Sequence, residues 1–335
     1  MARVGLIANP AAGKDIRRLV AHASVFDNNE KVNIVRRVLL GLEAAGVAEV
    51  LLMPDSYGIG TRALQRLALA MRCTFLDLEP EFTQQDTTRA AEHLRALGVG
   101  CIVTLGGDGT NRAVATGCGP VPLVPISTGT NNVFPQMIEG TVAGLAAGVV
   151  AAGVSDPDVT VRPYPRLEIL RDGCVAAIAL VDVVVASDRF VGAGALWDLA
   201  TIRQIILTHA DPGHIGFSSV GGNLGLPQLD AQHGLVLEIG GETQRVLAPI
   251  APGVLRELAV AAVRPFAVGE QVAIAAAPAV LALDGERAIV LRAGETVQVR
   301  LSAAGPHVVD VRAALRQAAA RGFFVRRGGE AGAGH

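Results

Sequence analysis

The sequence has few of the patterns that mark secreted, zinc-binding or membrane proteins. Its four cysteines are scattered, with no C-x-x-C pair and no histidine at ligand spacing, which argues against disulfides and structural zinc. The most apolar window, residues 142–154, contains three glycines and is shorter than the roughly 20 residues that a spanning helix needs. No charged segment followed by an apolar core opens the chain. We therefore expect a cytoplasmic protein that makes no membrane contact.

An excess of charge of either sign is also missing. The 31 acidic residues nearly balance the 29 Lys and Arg residues, the formal net charge is −2, and only 18% of the residues are charged. A basic face for nucleic acid is therefore not expected. Half of the residues are hydrophobic, and a chain of 335 residues is long enough for two domains.

The most informative stretch is residues 101–112, with the sequence CIVTLGGDGTNR. Its apolar, β-branched beginning predicts a buried strand, the glycines predict a tight turn, and Thr110 can start a helix. Such a junction presents backbone N–H groups and a helix N-terminus to phosphate, and glycines leave room for it. Asp108 in this turn could hold Mg²⁺, accept a proton from a hydroxyl, or orient the loop. The alternative interpretation is an ordinary glycine turn with a capping Asp.

Strand and helix patterns alternate through the first 126 residues. The alternation predicts a mostly parallel sheet that is covered on both faces. The predicted strands are residues 3–8, 49–53, 74–78, 101–105 and 121–126, and the predicted helices are residues 31–45, 61–70, 87–97 and one from residue 110.

Two further loops follow predicted strands of this sheet. The first strand leads into a Pro- and Gly-rich turn over residues 9–15, which lacks the Walker A spacing. The fifth leads into residues 127–135, where hydroxyl and amide side chains crowd Gly129. Both loops can open onto the same sheet edge as Asp108 and offer donors to a nucleotide. Each could also be an ordinary turn.

Beyond about residue 155 the pattern changes to short β-like runs separated by turns. It predicts an all-β second domain interrupted by helices at residues 195–207 and 311–321, with a tight acidic turn at Asp284-Gly285-Glu286. The fold class is thus α/β followed by β. We expect domains over residues 1–155 and 156–324, with a loose tail over residues 325–335.

Four motifs, in this order, resemble those of the NAD kinase and diacylglycerol kinase superfamily. They are Asn9-Pro10-x-x-Gly13-Lys14, Gly106-Gly107-Asp108-Gly109-Thr110, Gly129-Thr130-Asn131 and Asp284-Gly285-Glu286. The longer runs around the first three resemble the acetoin catabolism protein X branch of ATP-NAD kinase-like proteins. The resemblance covers the chain to about Phe324. It implies a nucleotide cleft between an α/β and a β domain, ATP and Mg²⁺ as cofactors, NAD as a substrate or ligand, and frequent homo-oligomers.

The resemblance also implies which residues form the site. Asp108 would be the base or the residue that organises the metal ion, and Asp284 with Glu286 matches the Asp-Gly-Glu of lipid kinases, where Glu is the proposed proton acceptor. The NAD kinase Asn-Glu pair is here Val181-Asp182, which keeps the acid and loses the amide. The expected nucleotide-binding residues are Asn9, Gly13, Lys14, Gly106, Gly107, Gly109, Thr110, Asn111, Thr128, Gly129, Thr130, Asn131, Asn132 and Asp182.

Taken together, these motifs predict an ATP-dependent small-molecule kinase with an NAD-like acceptor. Two alternatives remain open: a nucleotide-sensing regulatory protein of the same fold, and a lipid kinase of the diacylglycerol type. Within the kinase interpretation we expect Glu286 to be the better proton acceptor. This expectation assumes that the cleft closes, so that Glu286 faces the acceptor with less positive charge around it than Asp108 has on its phosphate loop.

Overall fold

The first part of the chain forms the expected parallel sheet. In the computed structural model, which describes residues 1–13, 21–187, 199–227, 229–274 and 278–325, five parallel strands lie in the order β3-β2-β1-β4-β5. Their bounds are β1 Arg3–Ala8, β2 Glu49–Leu52, β3 Arg72–Phe75, β4 Cys101–Gly106 and β5 Leu123–Ser127. The helices of this part are α1 Asn28–Ala44, α2 Ile59–Leu64, α3 Gln84–Ala96, α4 Asp108–Gly117, α5 Gly140–Ala151 and α6 Pro157–Thr160.

Helices cover both faces of this sheet because successive side chains of each buried strand point to opposite sides. Val4 and Leu6 of β1 pack on the face that α1 and α5 cover, whereas Ile7 packs with α3 and α4 on the other. Helices α1 and α5 approach closely because Gly144 has no side chain. A Cβ added there would lie 2.2 Å from the carbonyl oxygen of Val38.

Two strands from later in the chain extend the same sheet beyond β5. Strand β17 (His307–Val309) pairs parallel with β5, and β6 (Val161–Pro163) pairs antiparallel with β17. The sheet therefore has seven strands, and its last two come from outside the first 155 residues. Helix α8 (Val311–Ala320) follows directly and packs against α5.

The rest of the second part forms two antiparallel sheets. One has six strands in the order β12-β11-β10-β9-β14-β15, and the other has four in the order β13-β16-β7-β8. The six strands span β9 Asp182–Ala186, β10 Ile202–Leu207, β11 His233–Ala251, β12 Val254–Ala267, β14 Ala279–Leu283 and β15 Glu286–Leu291. The four span β7 Arg166–Arg171, β8 Cys174–Ala179, β13 Gln271–Ala273 and β16 Val297–Ser302.

These two sheets pack face to face over a shared apolar core, in which Ile169 and Val299 of one sheet meet Val183 and Val185 of the other. The opposite face of the six-stranded sheet is covered by helix α7 (Phe217–Gly222) through Phe217. The fold class predicted from the sequence, an α/β part followed by a β part, is therefore confirmed.

Several predicted elements differ from the structure. The helix predicted over residues 195–207 is wrong, since residues 202–207 form strand β10 and residues 199–201 a short 3₁₀ turn; residues 195–198 lie outside the described chain. The helix predicted over residues 61–70 ends at Leu64. The helix expected from Thr110 already begins at Asp108. The terminal helix at residues 311–320 is confirmed.

None of the helices in the described part of the chain combines the length and the apolar character required to cross a membrane.

Candidate functional site

A cleft of about 590 Å³ lies along the carboxyl edge of the parallel sheet. The loops that follow all five parallel strands contribute to it, within residues 9–13, 53–56, 80–87, 107–110 and 128–132. In open α/β sheets this edge is where ligands bind, at the point where the strand order reverses. Here the order reverses between β1 and β4, which are the strands that carry the Asn9 loop and the glycine loop.

The glycine loop joins strand β4 to helix α4 at the floor of the cleft. Gly107 is the N-cap residue of α4, so its backbone and the first N–H groups of the helix face the cleft without an intervening side chain. A Cβ at Gly107 would lie 2.6 Å from Oδ1 of Asn132. Asn111 supports the loop from below, because its fully buried side chain accepts from Thr104 Oγ1 at 2.6 Å and donates to Gly107 O at 2.9 Å.

The Asn9 loop is fastened to the glycine loop by side-chain hydrogen bonds. Nδ2 of Asn9 donates to Thr110 Oγ1 at 2.9 Å, and its Oδ1 accepts from Ala11 N at 2.8 Å. Lys31, buried on α1, donates from Nζ to the carbonyl oxygens of Asn9 and Ala12 at 3.1 and 2.8 Å. These contacts fix both loops relative to the start of α4.

Asp108 is the first residue of α4 and points toward the loop that follows β5. Its carboxylate accepts hydrogen bonds from the backbone N–H of Val133, at 3.1 Å to each oxygen, and of Phe134, at 2.8 Å. The two donors lie just past the Thr128–Asn132 loop. Asp108 therefore ties the glycine loop to the loop of the neighbouring strand, and its orientation is fixed.

A smaller cavity of about 210 Å³ opens on the other side of Asp108. Asp108, Asn131 and Asp284 line both cavities, so the two spaces meet at these three residues. The smaller cavity is walled mainly by apolar residues of the second part of the chain. It also contains Asp182, which is 5% exposed, and Arg256.

The acidic hairpin turn that was predicted from the sequence connects β14 to β15. Asp284 and Gly285 both have positive φ, at 50° and 80°, as in the two-residue turn of type I′. The Asp284 side chain is completely buried and accepts from the N–H groups of Leu180 at 3.0 Å and Val181 at 2.8 Å. Burial raises the pKa of the Asp284 carboxyl, while nearby Arg112 acts in the opposite direction. These contacts make Asp284 an anchor of the hairpin.

Glu286, the first residue of β15, has a different environment from the one expected. Its Oε2 accepts from Nη2 of Arg112 at 2.8 Å, and it lines the larger cleft but not the smaller cavity. A Cβ on Gly109 would lie 2.9 Å from its Oε1. The guanidinium of α4 thus reaches Glu286 directly, so this carboxylate has more positive charge beside it than the sequence suggested.

Three aromatic side chains near Asp108, which no sequence motif indicates, form a stacked column. The ring of Phe134 meets Tyr164 edge-on, with centroids 4.8 Å apart, and Tyr164 stacks on His209 at 4.4 Å. Burial, followed by the charges of Asp108 and Asp284, raises the pKa of Tyr164. Burial lowers the pKa of His209 to about 4. Single aromatic residues far apart in the sequence carry no motif that could have revealed this column.

Most of the expected site residues lie together in the larger cleft. Three of the described ones do not line it: Gly106 and Asn111 belong to the supporting layer beneath the loop, and Asp182 lines only the smaller cavity. Lys14 falls outside the described residues. The expected residues that do line the cleft are Asn9, Gly13, Gly107, Asp108, Gly109, Thr110, Thr128, Gly129, Thr130, Asn131, Asn132, Asp284 and Glu286.

Two carboxylates of the cleft fit a metal ion that is bound together with a phosphate ligand. No group of three or more His, Cys, Asp or Glu residues in the described ranges could hold a metal ion by itself. Mg²⁺ commonly takes only one or two protein carboxylates and completes its shell with phosphate oxygens and water. Asp108 and Glu286 are such carboxylates, placed beside the N-terminus of α4.

Comparison with known proteins gives a consistent result along the whole chain. Residues 4–154 match the ATP-NAD kinase N-terminal domain, and residues 165–304 match the acetoin catabolism protein X C-terminal domain. Acetoin catabolism protein X from Cupriavidus necator is 38% identical over 329 residues, which cover 94% of this chain and 92% of that protein.

Among solved structures, yeast NADH kinase complexed with NADH is similar with a TM-score of 0.51 at 15% identity, covering 98% of this chain and 90% of the kinase. A diacylglycerol kinase from Bacillus anthracis is similar with a TM-score of 0.40 at 13% identity, covering 92% of this chain and 96% of that protein. The likeness to the yeast enzyme shows that the two chains share a fold.

Proposed function

Since the chain belongs to the acetoin catabolism protein X family, we propose that it is an ATP-dependent kinase that phosphorylates a hydroxyl group of a small molecule. One observation carries the proposal: Asp108 lines both the larger cleft and the smaller cavity. A phosphoryl donor in one space and an acceptor in the other would meet at its carboxylate. This is the arrangement that a group transfer between two bound molecules requires.

The larger cleft suits the donor because its floor is built for phosphate. The backbone from Gly107 to Thr110 and the N-terminus of α4 supply N–H donors and a favourable dipole. When bound with the triphosphate, Mg²⁺ would neutralise charge on the phosphate oxygens, and Glu286, which lines only the larger cleft, is the carboxylate that would hold it. Phosphoryl transfer depends mainly on such positioning and charge stabilisation, so the protein needs little covalent chemistry of its own.

The smaller cavity suits the acceptor. The acceptor oxygen would form a bond to the γ-phosphorus while the bond from that phosphorus to the β,γ-bridging oxygen breaks and ADP leaves. The hydroxyl proton would pass to Asp108. Glu286 is less suitable as the base because it pairs with Arg112 and does not line this cavity.

We propose an NAD-like acceptor as the first candidate. Asp182 supplies a carboxylate in the smaller cavity, and an acidic side chain is a common partner of ribose hydroxyls in dinucleotide sites. The family name makes acetoin, which also carries a hydroxyl group, the second acceptor to test.

The experiment is a phosphoryl-transfer screen of the purified protein with Mg²⁺ and γ-labelled ATP. Its acceptors are NAD, NADH, acetoin and diacylglycerol in micelles. We expect labelled product with a soluble acceptor and none with the Asp108→Ala variant, which serves as the matched control. A folded wild-type protein that labels none of the acceptors would count against the kinase, and activity on diacylglycerol alone would favour a lipid kinase.

A second candidate is a nucleotide-responsive binding protein without turnover. It is favoured by the engagement of two acidic residues in structural contacts, since Asp284 accepts from backbone N–H groups and Glu286 pairs with Arg112. Saturable binding of ATP or NAD, measured by calorimetry in the absence of any transfer in the screen, would support it.

The proposal also includes a homo-oligomer. Light scattering on the purified protein, with and without ATP, would measure its mass directly.

A further inference from the structure

Phe82 lies in the larger cleft in an unfavourable conformation. Its side chain is 71% exposed and its φ is 60°. A bulky side chain at positive φ is strained, and a solvated phenyl ring gains nothing from burial. Strained residues persist only where their surroundings impose the conformation, and they concentrate at ligand sites.

The surroundings of Phe82 impose its conformation from both sides. The Asp86 carboxylate accepts from the N–H of Glu81 at 3.0 Å and of Thr83 at 3.2 Å, the two residues that flank Phe82. Arg89 pairs with Asp86 at 2.5 Å and with Glu81 at 2.9 Å. These contacts hold the backbone at Phe82, whereas its side chain makes no ring contact that holds it within the described residues.

The segment that carries Phe82 is also fixed relative to the glycine loop. Nε2 of Gln84, at the start of α3, donates to the carbonyl oxygen of Gly109 at 2.9 Å. Farther along α3, Thr88 Oγ1 donates to Ala113 O of α4 at 3.0 Å. The backbone at Phe82, which leads into α3, is therefore held at a fixed position relative to the N-terminus of α4.

The lining of the cleft combines two kinds of surface. The glycine loop contributes backbone N–H groups, whereas Phe82, Pro80, Met53 and Pro54 contribute apolar side chains. A nucleoside triphosphate has the same division, with an anionic chain at one end and a flat aromatic base at the other. Stacking of a base on an aromatic side chain commonly contributes the equivalent of about 5- to 100-fold in affinity.

We infer that the ring of Phe82 is the platform on which the base of the bound nucleotide stacks. This inference rests on the proposed function, because it assigns the base subsite of the same cleft. Phe82 is then a specificity-determining residue that distinguishes a nucleotide from a bare polyphosphate.

The test compares Mg-ATP with Mg-tripolyphosphate, which carries the phosphates without a base, by calorimetry on the full chain. In Phe82→Asn, a residue that tolerates positive φ replaces the ring, so the backbone is kept and stacking is lost. We expect ATP affinity to fall about 5- to 100-fold and tripolyphosphate affinity to stay within about twofold. Phe82→Trp should bind ATP at least as well as the wild type.

Phe324→Asn is the matched control, because Phe324 is exposed but does not line the cleft; it should leave both affinities unchanged. Unchanged ATP affinity in Phe82→Asn would overturn the inference while leaving the kinase proposal intact. An equal loss of both ligands would also overturn it, since the loop rather than the ring would then be responsible. A wild-type protein that binds neither ligand would overturn the proposed function together with this inference.

Discussion

Arg112 of helix α4 and Glu286 of strand β15 form an ion pair, with 2.8 Å between Nη2 and Oε2. The same guanidinium donates to the carbonyl oxygen of Leu283 and lies 3.4 Å from Oδ2 of Asp284. Arg112 thereby joins the helix behind the glycine loop to the acidic hairpin of the second part of the chain. The Asp284 side chain is fully buried. Its carboxylate therefore cannot be solvated by water if the contact with Arg112 is lost.

Removing the guanidinium of Arg112 should lower the stability of the folded protein. We expect Arg112→Gln to lower the free energy of unfolding by about 3 kcal/mol, because it leaves the buried Asp284 carboxylate without its cation. Urea unfolding measures the change. Arg171→Gln is the control, since Arg171 and Glu295 form a half-exposed pair at 3.5 Å that should contribute less than about 1 kcal/mol. If both substitutions lower the free energy of unfolding equally, the contacts of Arg112 contribute no more to stability than an exposed ion pair does.

Asp108 and Glu286, two of the acidic residues that line the larger cleft, should differ in their effect on turnover. We expect Asp108→Asn to lower kcat by about 10²- to 10⁴-fold, the usual range for a lost proton acceptor, because Asp108 reaches both cavities. Glu286→Gln should lower kcat by less than about tenfold, since Glu286 lies on the donor side and pairs with Arg112. Steady-state kinetics with the acceptor found in the screen would measure both. A larger loss of kcat in Glu286→Gln than in Asp108→Asn would instead identify Glu286 as the base.

Relief of strain at Phe82 should be measurable without any ligand. We expect Phe82→Asn to raise the free energy of unfolding by about 1 kcal/mol, because Asn tolerates the left-handed region far better than Phe does. Thermal unfolding of the variant should show a higher Tm, and Phe324→Asn should change it little. A drop in Tm for Phe82→Asn would mean that the ring stabilises the fold through contacts other than those described.

His209 should make the protein less stable in mild acid. Burial lowers the pKa of His209 in the folded protein to about 4, against about 6.5 in an unfolded chain. Between these values the unfolded chain binds the additional proton, so stability falls as the pH drops from about 6.5 to 4, by up to about 3 kcal/mol. His214, whose pKa is also lowered by burial, acts in the same direction.

The test of that pH dependence is His209→Phe, which keeps an aromatic ring against Tyr164 and removes the titrating group. Its unfolding free energy, measured in urea at pH 7 and at pH 4.5, should change less with pH than that of the wild type. An identical pH dependence in the two proteins would assign the acid sensitivity to other groups.

The parallel sheet and its loops could be predicted from the sequence because local signals there agree. The strand before Asp108 is apolar and β-branched, the glycines permit the turn, and five such units follow one another. The two-residue turn at Asp284 and Gly285 was also readable from local chemistry, since Asp-Gly between two β-like runs is a hairpin signal. These features depend on residues that are adjacent in the chain.

The contacts of Glu286 could not be predicted because its partner, Arg112, is 174 positions away and no local pattern links the two. The prediction of a helix in place of strand β10 was wrong for a different reason. Ile202, Ile205 and Ile206 have the i, i+3, i+4 spacing of a helix face, but the strand is buried on both sides, so its apolar residues serve two separate cores. An irregularity in the pairing between Ile202 and Gln204 further breaks the period of two.

The pairing of β17 with β5 determines the order in which the protein can finish folding. Gln136 pairs with the second half of the β5 edge, at Pro125 and Ser127, soon after β5 has been made, but the strand that pairs with Leu123 at its first half comes only with His307. At about 5 to 20 residues per second, this first half of the edge stays open for roughly 10 to 40 seconds. The nascent first part of the chain therefore carries a short unpaired parallel edge, the kind of surface that recruits other chains. Once β17 has been made and has completed the sheet, α8 can also pack against α5, where its Ala314 joins the core of the parallel sheet.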